Sequence, residues 1–472
     1  RSAPVPAHNA PSTLRVTLDG DISEWPTDAA AFVDEHNLYL RFTVADEQFT
    51  LQGADESVVV SLDLDASTDT GEVGELAPYN DMGTDMEIRF SPERADGSRG
   101  KGVVVEAIDA AGNRTKVDIG DLDLQVAPTY AAGWYELRMT RTPDHAEVYP
   151  KGGLRSTGFV KGVVSLRGDQ DKVIGYADPF VLPVEVVCPD GRRYSGVDVP
   201  MRPPVGARVM SYNVEKSSPM RNPDVFKRVI TALDPDVILM QEWEDGDAAT
   251  VQAWLTLNVP TAPEWFVIKP PGDNAHGGGV LVASRYRLEP LMEAPVTTGF
   301  NGRPVRFVGA VVHTPTGEVL AGSVHLKCCG TKDSSEDRER MLEARVINEA
   351  FAAAAAGRPK AKRVIAGDFN LVGSRPPLDL MRAKLDADGG DLAVADARDL
   401  AERIYRTWRD PSTGFGPGRL DYVLYSQSNS KAADAFVFDT SRLNDAALAR
   451  LGLDRTDCSG SDHLPVIVDL AW

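Results

Sequence analysis

Cysteine and long apolar runs are both scarce in this sequence of 472 residues. Four cysteines are too few for a disulfide scaffold, and no two of them show the C-x-x-C spacing typical of zinc sites. No stretch approaches the ~18 uninterrupted apolar residues that a membrane-spanning helix needs. A composition of 42% hydrophobic and 25% charged residues is that of an ordinary globular protein. A disulfide-built miniprotein, a membrane-spanning helix and a disordered chain are therefore excluded.

Basic residues are in the minority. Fifty Lys and Arg against seventy Asp and Glu give a formal net charge of −20, which argues against a protein held on polyanions by a general positive field. Residues 1–200 carry 18 basic and 34 acidic residues, a net charge of −16, and the remaining 32 basic and 36 acidic residues leave −4 for the rest. The excess acid therefore lies in the first part, and a phosphate-bearing substrate remains open for the second.

Length and local composition predict two domains. We expect a flexible lead over residues 1–13, a β-sandwich domain over 14–196, a Pro-rich linker over 197–206 and a catalytic domain over 207–472. Arg1 and the Pro/Ala-rich residues after it look like a processed N-terminus. We therefore expect an exported protein, either secreted or periplasmic.

The first part of the sequence has the rhythm of an all-β domain. Short runs of β-branched and alternating residues are separated by clusters of Gly, Asp, Asn and Pro. Turn signals this frequent, without helical periodicity, indicate an all-β sandwich. The segment LDGDISEWP (Leu18–Pro26) resembles family 9 carbohydrate-binding modules. That resemblance implies a carbohydrate or surface ligand for this domain.

The second part mixes strands and helices, which indicates a mixed α/β sandwich. Acid, amide and imidazole groups stand at the ends of its apolar strands. Burying an unpaired carboxylate there would be costly, so we expect these groups to converge on water, on one another or on a metal. The candidate site residues are Asn213, Glu242, His325, Asp368, Asn370, Asp421, Asp462 and His463.

Each of these residues also has a structural interpretation when it is taken alone. Asn213 could be a turn residue, Glu242 a solvated strand end, and Asp368 with Asn370 an Asx-turn. An isolated histidine such as His325 is more often structural than catalytic. Chance is a poor explanation for the whole set in this order and spacing, so the set favours a catalytic site.

The motifs MSYNVE, MQEWE, SVHL, AGDFN, RLDY and SDH, in this order, resemble the endonuclease/exonuclease/phosphatase superfamily, which has the deoxyribonuclease I-like fold. GDFN and the terminal SDH are the most specific of them. The resemblance covers residues 205–472. It implies a four-layer α/β-β/α sandwich and an enzyme that cleaves phosphate esters with a divalent metal, usually Mg²⁺, with Mn²⁺ as the alternative.

The same resemblance implies a metal site. Glu242 would be the principal metal ligand, Asn213 a second ligand or a phosphate contact, and Asp462 a further metal contact. Carboxylate and amide oxygens suit a hard divalent cation.

Catalytic roles follow from the resemblance as well. Asp368 would orient or deprotonate the attacking water, and Asn370 would hold a nonbridging phosphate oxygen. His463 would stabilise or protonate the phosphoryl group while Asp421 orients its ring. His325 stands where some apurinic-site nucleases of the superfamily use tyrosine. This difference argues against a function in base-excision repair. Two imidazoles on opposite sides of the phosphate would supply proton donation and charge neutralisation.

These observations predict an exported, monomeric phosphodiesterase that uses a metal-assisted attack of water. A phosphomonoesterase acting on an inositol or sugar phosphate and a binding protein with an inactive second domain are the alternatives. Loops choose among DNA, RNA, phospholipid head groups and inositol phosphates in this family. The nearly neutral second part has no basic stripe of the kind that favours long nucleic acid.

An acidic loop in the first part echoes a calcium-binding loop. Asp63, Asp65 and Asp69 have suitable spacing, but Thr68 stands where an EF-hand needs glycine. An EF-hand is therefore excluded, and a sandwich-type Ca²⁺ site in the N-terminal domain remains a candidate.

The cysteines predict one bridge. If both histidine loops reach one catalytic edge, Cys458 should pair with Cys328 or Cys329, because vicinal pairing would strain the intervening peptide. Cys188 is then either free or paired with the remaining cysteine.

Overall fold

The structure is a computed structural model, and a few short segments fall outside the part of the chain that it describes. The described residues are 5–6, 16–26, 29–43, 48–76, 79–92, 100–143, 149, 154, 158–185, 187–188, 193–273, 277–298, 302–402 and 404–472. Apart from Val5–Pro6, the predicted lead over residues 1–13 lies outside them.

The chain divides into two units. The first comprises Arg1–Arg193 together with Arg409–Gly418, and the second comprises Tyr194–Trp408 together with Arg419–Trp472. The stretch predicted as a linker, residues 197–206, falls within the second unit.

Strands and short turns build the described part of the first unit. The strands are β1 (Val5–Pro6), β2 (Ala31–Val33), β3 (Asn37–Phe42), β4 (Ser57–Asp63), β5 (Glu72–Leu76), β6 (Tyr79–Thr84), β7 (Met86–Phe90), β8 (Val103–Ile108), β9 (Arg114–Val117), β10 (Gln125–Ala127), β11 (Tyr135–Thr140), β12 (Gly158–Arg167) and β13 (Val173–Val184). One sheet has the order β1-β13-β12-β4-β7-β8-β9, a second has the order β10-β11-β3-β2, and β5 pairs with β6.

Apolar side chains of the two larger sheets share one core. β4 reads SVVVSLD and is buried along its whole length, because it lies between β12 and β7 in the middle of its sheet. The rings of Phe42 and Tyr135, from β3 and β11, stack with centroids 6.1 Å apart. The first unit confirms the predicted all-β architecture.

The second unit alternates strands with helices. Its strands are β14 (Gly206–Asn213), β15 (Val237–Gln241), β16 (Phe266–Ile268), β17 (Leu281–Ser284), β18 (Leu288–Pro290), β19 (Phe307–Thr314), β20 (Gly317–His325), β21 (Lys362–Asp368), β22 (Ala393–Val394), β23 (Arg398–Asp399), β24 (Asp421–Tyr425), β25 (Lys431–Val437) and β26 (Val466–Ala471). Its helices are α1 (Ser218–Arg221), α2 (Pro223–Leu233), α3 (Ala248–Asn258), α4 (Ser335–Ala355), α5 (Pro376–Arg382) and α6 (Asp445–Leu451). In the described part of the chain, no helix is both long and apolar enough to cross a membrane.

Two sheets pack face to face in this unit, one in the order β16-β17-β15-β14-β26-β25-β23 and the other β18-β19-β20-β21-β24-β22. Gln241 Nε2 of the first sheet donates a hydrogen bond to Ser323 Oγ of the second at 3.0 Å. α2 covers the outer side of the first sheet, where Phe226 packs on Tyr212 with ring centroids 5.6 Å apart. The predicted α/β sandwich is confirmed.

The predicted disulfide bridge is wrong. None of the four cysteines, all of which lie in the described part of the chain, forms a disulfide bond. Cys458 is fully buried, and its Sγ faces the carbonyl oxygen of Phe438 at 3.5 Å. Cys328 and Cys329 instead lie beside each other, with Sγ atoms 3.0 Å apart. The two histidines come together, but their loops do not bring Cys458 to the other cysteines, because the side chain of Cys458 points into the core.

Candidate active site

Two predicted site residues lie at the same end of neighbouring parallel strands. Asn213 ends β14, and Glu242 directly follows β15. Because Asn213 pairs with Gln241 in the parallel register, both strands end at one edge of their sheet. Glu242 has a left-handed backbone with φ of 59°, which turns the chain out of the strand. Asn213 Nδ2 lies 3.3 Å from Glu242 Oε1.

Three further site residues lie side by side across the second sheet. His325 ends β20, Asp368 ends β21, and Asp421 begins β24. His325 pairs with Asp368 in a parallel register, and Asp368 pairs with Asp421 in an antiparallel register. Backbone pairing of β20, β21 and β24 therefore brings an imidazole and two carboxylates together.

Asp368 is the centre of the site. Its Oδ2 lies 3.2 Å from Asn213 Nδ2, 3.5 Å from His325 Nε2 and 3.6 Å from His463 Nε2. Burial raises the pKa of Asp368 to about 7, with His463 opposing that rise and the neighbouring carboxylates adding to it. A carboxyl group with this pKa can take a proton from water near neutral pH.

His463 is held by a buried carboxylate. Its Nδ1 lies 2.8 Å from Asp421 Oδ2, and Thr407 Oγ1 accepts the backbone N–H of Asp421 at 3.0 Å. Burial opposes the charged ring, but Asp421 and Asp368 outweigh it and raise the pKa of His463 to about 10. His463 is therefore protonated at neutral pH, and Nε2 remains to serve a substrate.

His325 is a neutral counterpart. Burial lowers its pKa well below the usual value, and the nearby Arg306 and His463 lower it further. Arg306 Nη1 lies 3.4 Å from His325 Nε2, and Arg306 Nη2 donates to the carbonyl oxygen of Leu326 at 2.7 Å. The site thus contains one charged and one neutral imidazole.

Asn370 and Asp462, the remaining two predicted residues, also have hydrogen-bond partners. Asn370 donates its backbone N–H to Asp368 Oδ1 at 2.9 Å and its side-chain amide to the carbonyl oxygen of Leu326 at 3.2 Å. Asp462 Oδ2 accepts the indole N–H of Trp408 at 2.9 Å. These contacts fix the loops that carry the two residues.

The donor set fits a hydrated hard cation. Glu242 has a side chain that is 20% exposed, whereas that of Asp368 is 2% exposed. Burial raises the pKa of Glu215, and the nearby carboxylates Asp462 and Glu242 raise it further. Among the described residues, a group of three His, Cys, Asp or Glu side chains with ligand atoms within 4.8 Å of one another occurs only in the first unit. At the edge that holds Glu242 and Asn213, carboxylate and amide oxygens together with water would hold the ion, as is usual for Mg²⁺.

Sequence reasoning missed several residues of the site. Glu215 follows Asn213 by two positions and could have been found as a second acid in the same segment. Arg306, Thr407 and Trp408 had no comparable signal. Arg306 reaches His325 only because β19 and β20 pair, so that Arg306 O accepts the backbone N–H of His325 at 2.9 Å.

Asp421→Asn is expected to move the alkaline limb of the pH–rate profile to lower pH, by about one unit or more. Asp421 raises the pKa of His463, so the charged ring persists as pH rises; without that carboxylate the proton leaves earlier. Steady-state rates between pH 6 and 10 would measure the shift. Asp434→Asn, an exposed change on β25, should leave the profile unchanged. An unmoved alkaline limb in Asp421→Asn would reject His463 as the acid that titrates there.

Several solved structures are similar to this chain. Sphingomyelinase C from Streptomyces griseocarneus is 20% identical, with a TM-score of 0.37, covering 57% of this chain and 99% of that one. A 3'-5' exonuclease from Neisseria meningitidis is 18% identical, with a TM-score of 0.38, covering 56% and 100%. The human Nocturnin catalytic domain with bound sulfate is 18% identical, with a TM-score of 0.37, covering 59% and 97%. Likenesses of this strength add nothing about substrate.

A search of curated proteins finds no significant match. The family model of the Endonuclease/Exonuclease/phosphatase family matches residues 210–463, more than half of the chain. That range includes all eight candidate residues and ends on the last of them, His463. The chain therefore belongs to the Endonuclease/Exonuclease/phosphatase family and is a metal-dependent hydrolase of phosphoric esters.

Proposed function

We propose that this enzyme is a phosphodiesterase that uses Mg²⁺, with Mn²⁺ as a substitute. The observation that carries the proposal is the pair of imidazoles around Asp368, one protonated and one neutral. A diester needs a base for the attacking water and charge stabilisation for the phosphoryl group. Asp368 and His463 supply these two functions from positions 3.6 Å apart.

The charge of the site does not by itself separate a diester from a monoester. Four of the predicted site residues are acids, Glu242, Asp368, Asp421 and Asp462. The protonated His463, Arg306 beside His325 and the divalent ion of the proposal offset their charge. The preference for a diester is therefore the part of the proposal that matched substrates test.

Each residue has a part in the proposed reaction. A divalent ion bound by Glu242, with Asn213 and Glu215 beside it, would polarise a phosphoryl oxygen. Asp368 accepts the proton of the attacking water. His463 donates from Nε2 to the phosphoryl group, while Asp421 fixes the ring through Nδ1. His463, the protonated ring, also supplies the proton that the leaving oxygen takes up, whereas neutral His325, on the other side of Asp368, contributes a hydrogen bond to the phosphoryl group.

Matched chromogenic esters test the proposal. We expect bis-p-nitrophenyl phosphate to be hydrolysed with a kcat/KM at least about tenfold above that for p-nitrophenyl phosphate, since about 1.4 kcal/mol of differential binding suffices. EDTA should abolish both rates, and Mg²⁺ or Mn²⁺ should restore them. Faster turnover of the monoester would favour a phosphomonoesterase. No turnover of either ester with metal present would refute the proposal.

Export is a second part of the proposal, with a secreted or periplasmic location. Because no disulfide bond forms among the four cysteines, the predicted bridge no longer supports export. Fractionation of the source cells, with immunodetection of the chain, tests it directly. Recovery in the cytoplasmic fraction alone would contradict export.

A further inference from the structure

Three carboxylates of the first unit come together outside the active site. Asp63 ends β4, Asp65 lies in the loop that follows, and Asp85 stands between β6 and β7. One oxygen of each lies within 4.8 Å of one oxygen of each of the others. Ligands on one Ca²⁺ ion at 2.3–2.6 Å have oxygen separations of this size. Asp69, which the sequence grouped with Asp63 and Asp65, is exposed and outside the cluster.

Strand pairing creates the cluster. β4 pairs with β7 so that Leu62 faces Met86, and the residues that flank this pair meet at the sheet edge. Asp85 donates its backbone N–H to the carbonyl oxygen of Leu62 at 2.9 Å. Asp85 Oδ2 in turn accepts the N–H of Leu64 at 2.7 Å. The position of Asp85 is therefore set by the backbone of β4.

The buried oxygens of this cluster have too few partners. Asp63 is fully buried, and neither of its carboxylate oxygens accepts a hydrogen bond. Asp85 is 3% exposed, and its Oδ1 accepts none either. Buried carboxylates are costly unless they are paired or bind a metal. Asp63 Oδ1 and Asp85 Oδ1, which have no hydrogen-bond partner among the described residues, are an observation independent of the clustering. Both observations point to a cation.

One ammonium group does not balance the cluster. Lys161 Nζ lies 3.5 Å from Asp63 Oδ2. Three ionised carboxylates and one ammonium leave a net charge of −2, which one divalent ion would cancel. The charged cluster is thus unfavourable until a cation joins it.

We propose that Asp63, Asp65 and Asp85 bind one Ca²⁺ ion that fastens the loop after β4 to the junction of β6 and β7. A ligand set made only of oxygen atoms favours a hard cation over a soft metal. Asp65 is also tied into its loop, because Thr70 Oγ1 donates to Asp65 Oδ1 at 2.9 Å. Ca²⁺ accepts irregular sets of carboxylates, hydroxyls and water more readily than Mg²⁺, which demands a near-octahedral shell.

Equilibrium dialysis with ⁴⁵Ca²⁺ tests the proposal on full-length protein stripped with EDTA. All samples carry Glu242→Gln, so that the active-site ligand cannot supply the signal. We expect one bound Ca²⁺ per chain. Adding Asp65→Asn should weaken binding at least about tenfold, because one of three charged ligands is lost. Asp69→Asn, the same change at an exposed position of the same loop, should bind like its parent.

Two other measurements sharpen the result. Lys161→Met should tighten Ca²⁺ binding, because the competing ammonium is removed. Ca²⁺ should slow proteolysis within residues 64–71 in the parent and not in Asp65→Asn, with circular dichroism showing that both are folded. No saturable binding in the Glu242→Gln background, or equal affinity in Asp65→Asn and Asp69→Asn, would overturn the proposal. Displacement of Ca²⁺ by equimolar Mg²⁺ would overturn the choice of ion.

Discussion

Glu242→Gln is expected to lower metal-dependent turnover by about 10³-fold or more at saturating Mg²⁺. A neutral amide loses most of the attraction that holds a hard divalent ion. The fold should survive, because Glu242 accepts hydrogen bonds from Asn213 Nδ2 at 3.3 Å and from Lys216 N at 3.1 Å, and the amide oxygen of Gln can still accept. Steady-state kinetics against Mg²⁺ concentration, with circular dichroism as the check on folding, measures the effect.

Asp245→Asn is the matched control for this experiment. Asp245 is an exposed acid three residues further along the same loop. The same loss of one negative charge there should leave kcat and the Mg²⁺ dependence within about twofold, since an exposed charge interacts weakly through water. Activity of Glu242→Gln within about tenfold of the parent would reject Glu242 as the principal ligand.

His463→Ala is expected to reduce kcat by about 10²- to 10⁴-fold, the range for loss of a positioned proton donor. The charged ring lies 3.6 Å from Asp368 and is held by Asp421 at 2.8 Å, so alanine removes both the proton and the positive charge. His325→Ala should cost about 10²-fold. Pre-steady-state rates on a diester would separate the chemical step from product release.

The double variant tests whether the two rings act together. If both serve one transition state, the His463→Ala/His325→Ala enzyme should lose less than the product of the single losses. His313→Ala is the control, because His313 is 31% exposed and pairs with Glu289 and Glu318, away from Asp368. Rates near the parent in either single variant, or a comparable loss in His313→Ala, would contradict the assignment.

Most residues of the candidate site could be predicted because they stand at or next to a strand end. Local alternation and apolar runs identify where strands stop, and polar groups there have few uses other than water, metal or one another. Asn213 and Glu242 end adjacent parallel strands, and His325 and Asp368 do so in the second sheet. Within each sheet, their proximity needed only the rule that parallel strands end at the same edge, whereas the meeting of the two pairs depends on how the sheets pack together.

Contacts between distant segments could not be predicted in this way. Cys458 stands five residues before His463, yet its side chain enters the core beside Phe438. A shared loop says nothing about which way a thiol points. Arg306 meets His325 through the pairing of β19 with β20. The spacing of residues along the chain fixes neither the direction of a side chain nor the register of a strand pair.

The acidic cluster of the first unit also separates what the sequence determines from what only the tertiary structure decides. The sequence by itself determined that Asp63 ends an apolar strand and that Asp65 lies in the loop after it, because local periodicity and charge are properties of neighbouring residues. Only the tertiary structure decided that Asp85 joins them in place of Asp69. That choice depends on the register of β4 against β7, which is set by burial of both strands in one sheet and by long-range hydrogen bonds that no local pattern records.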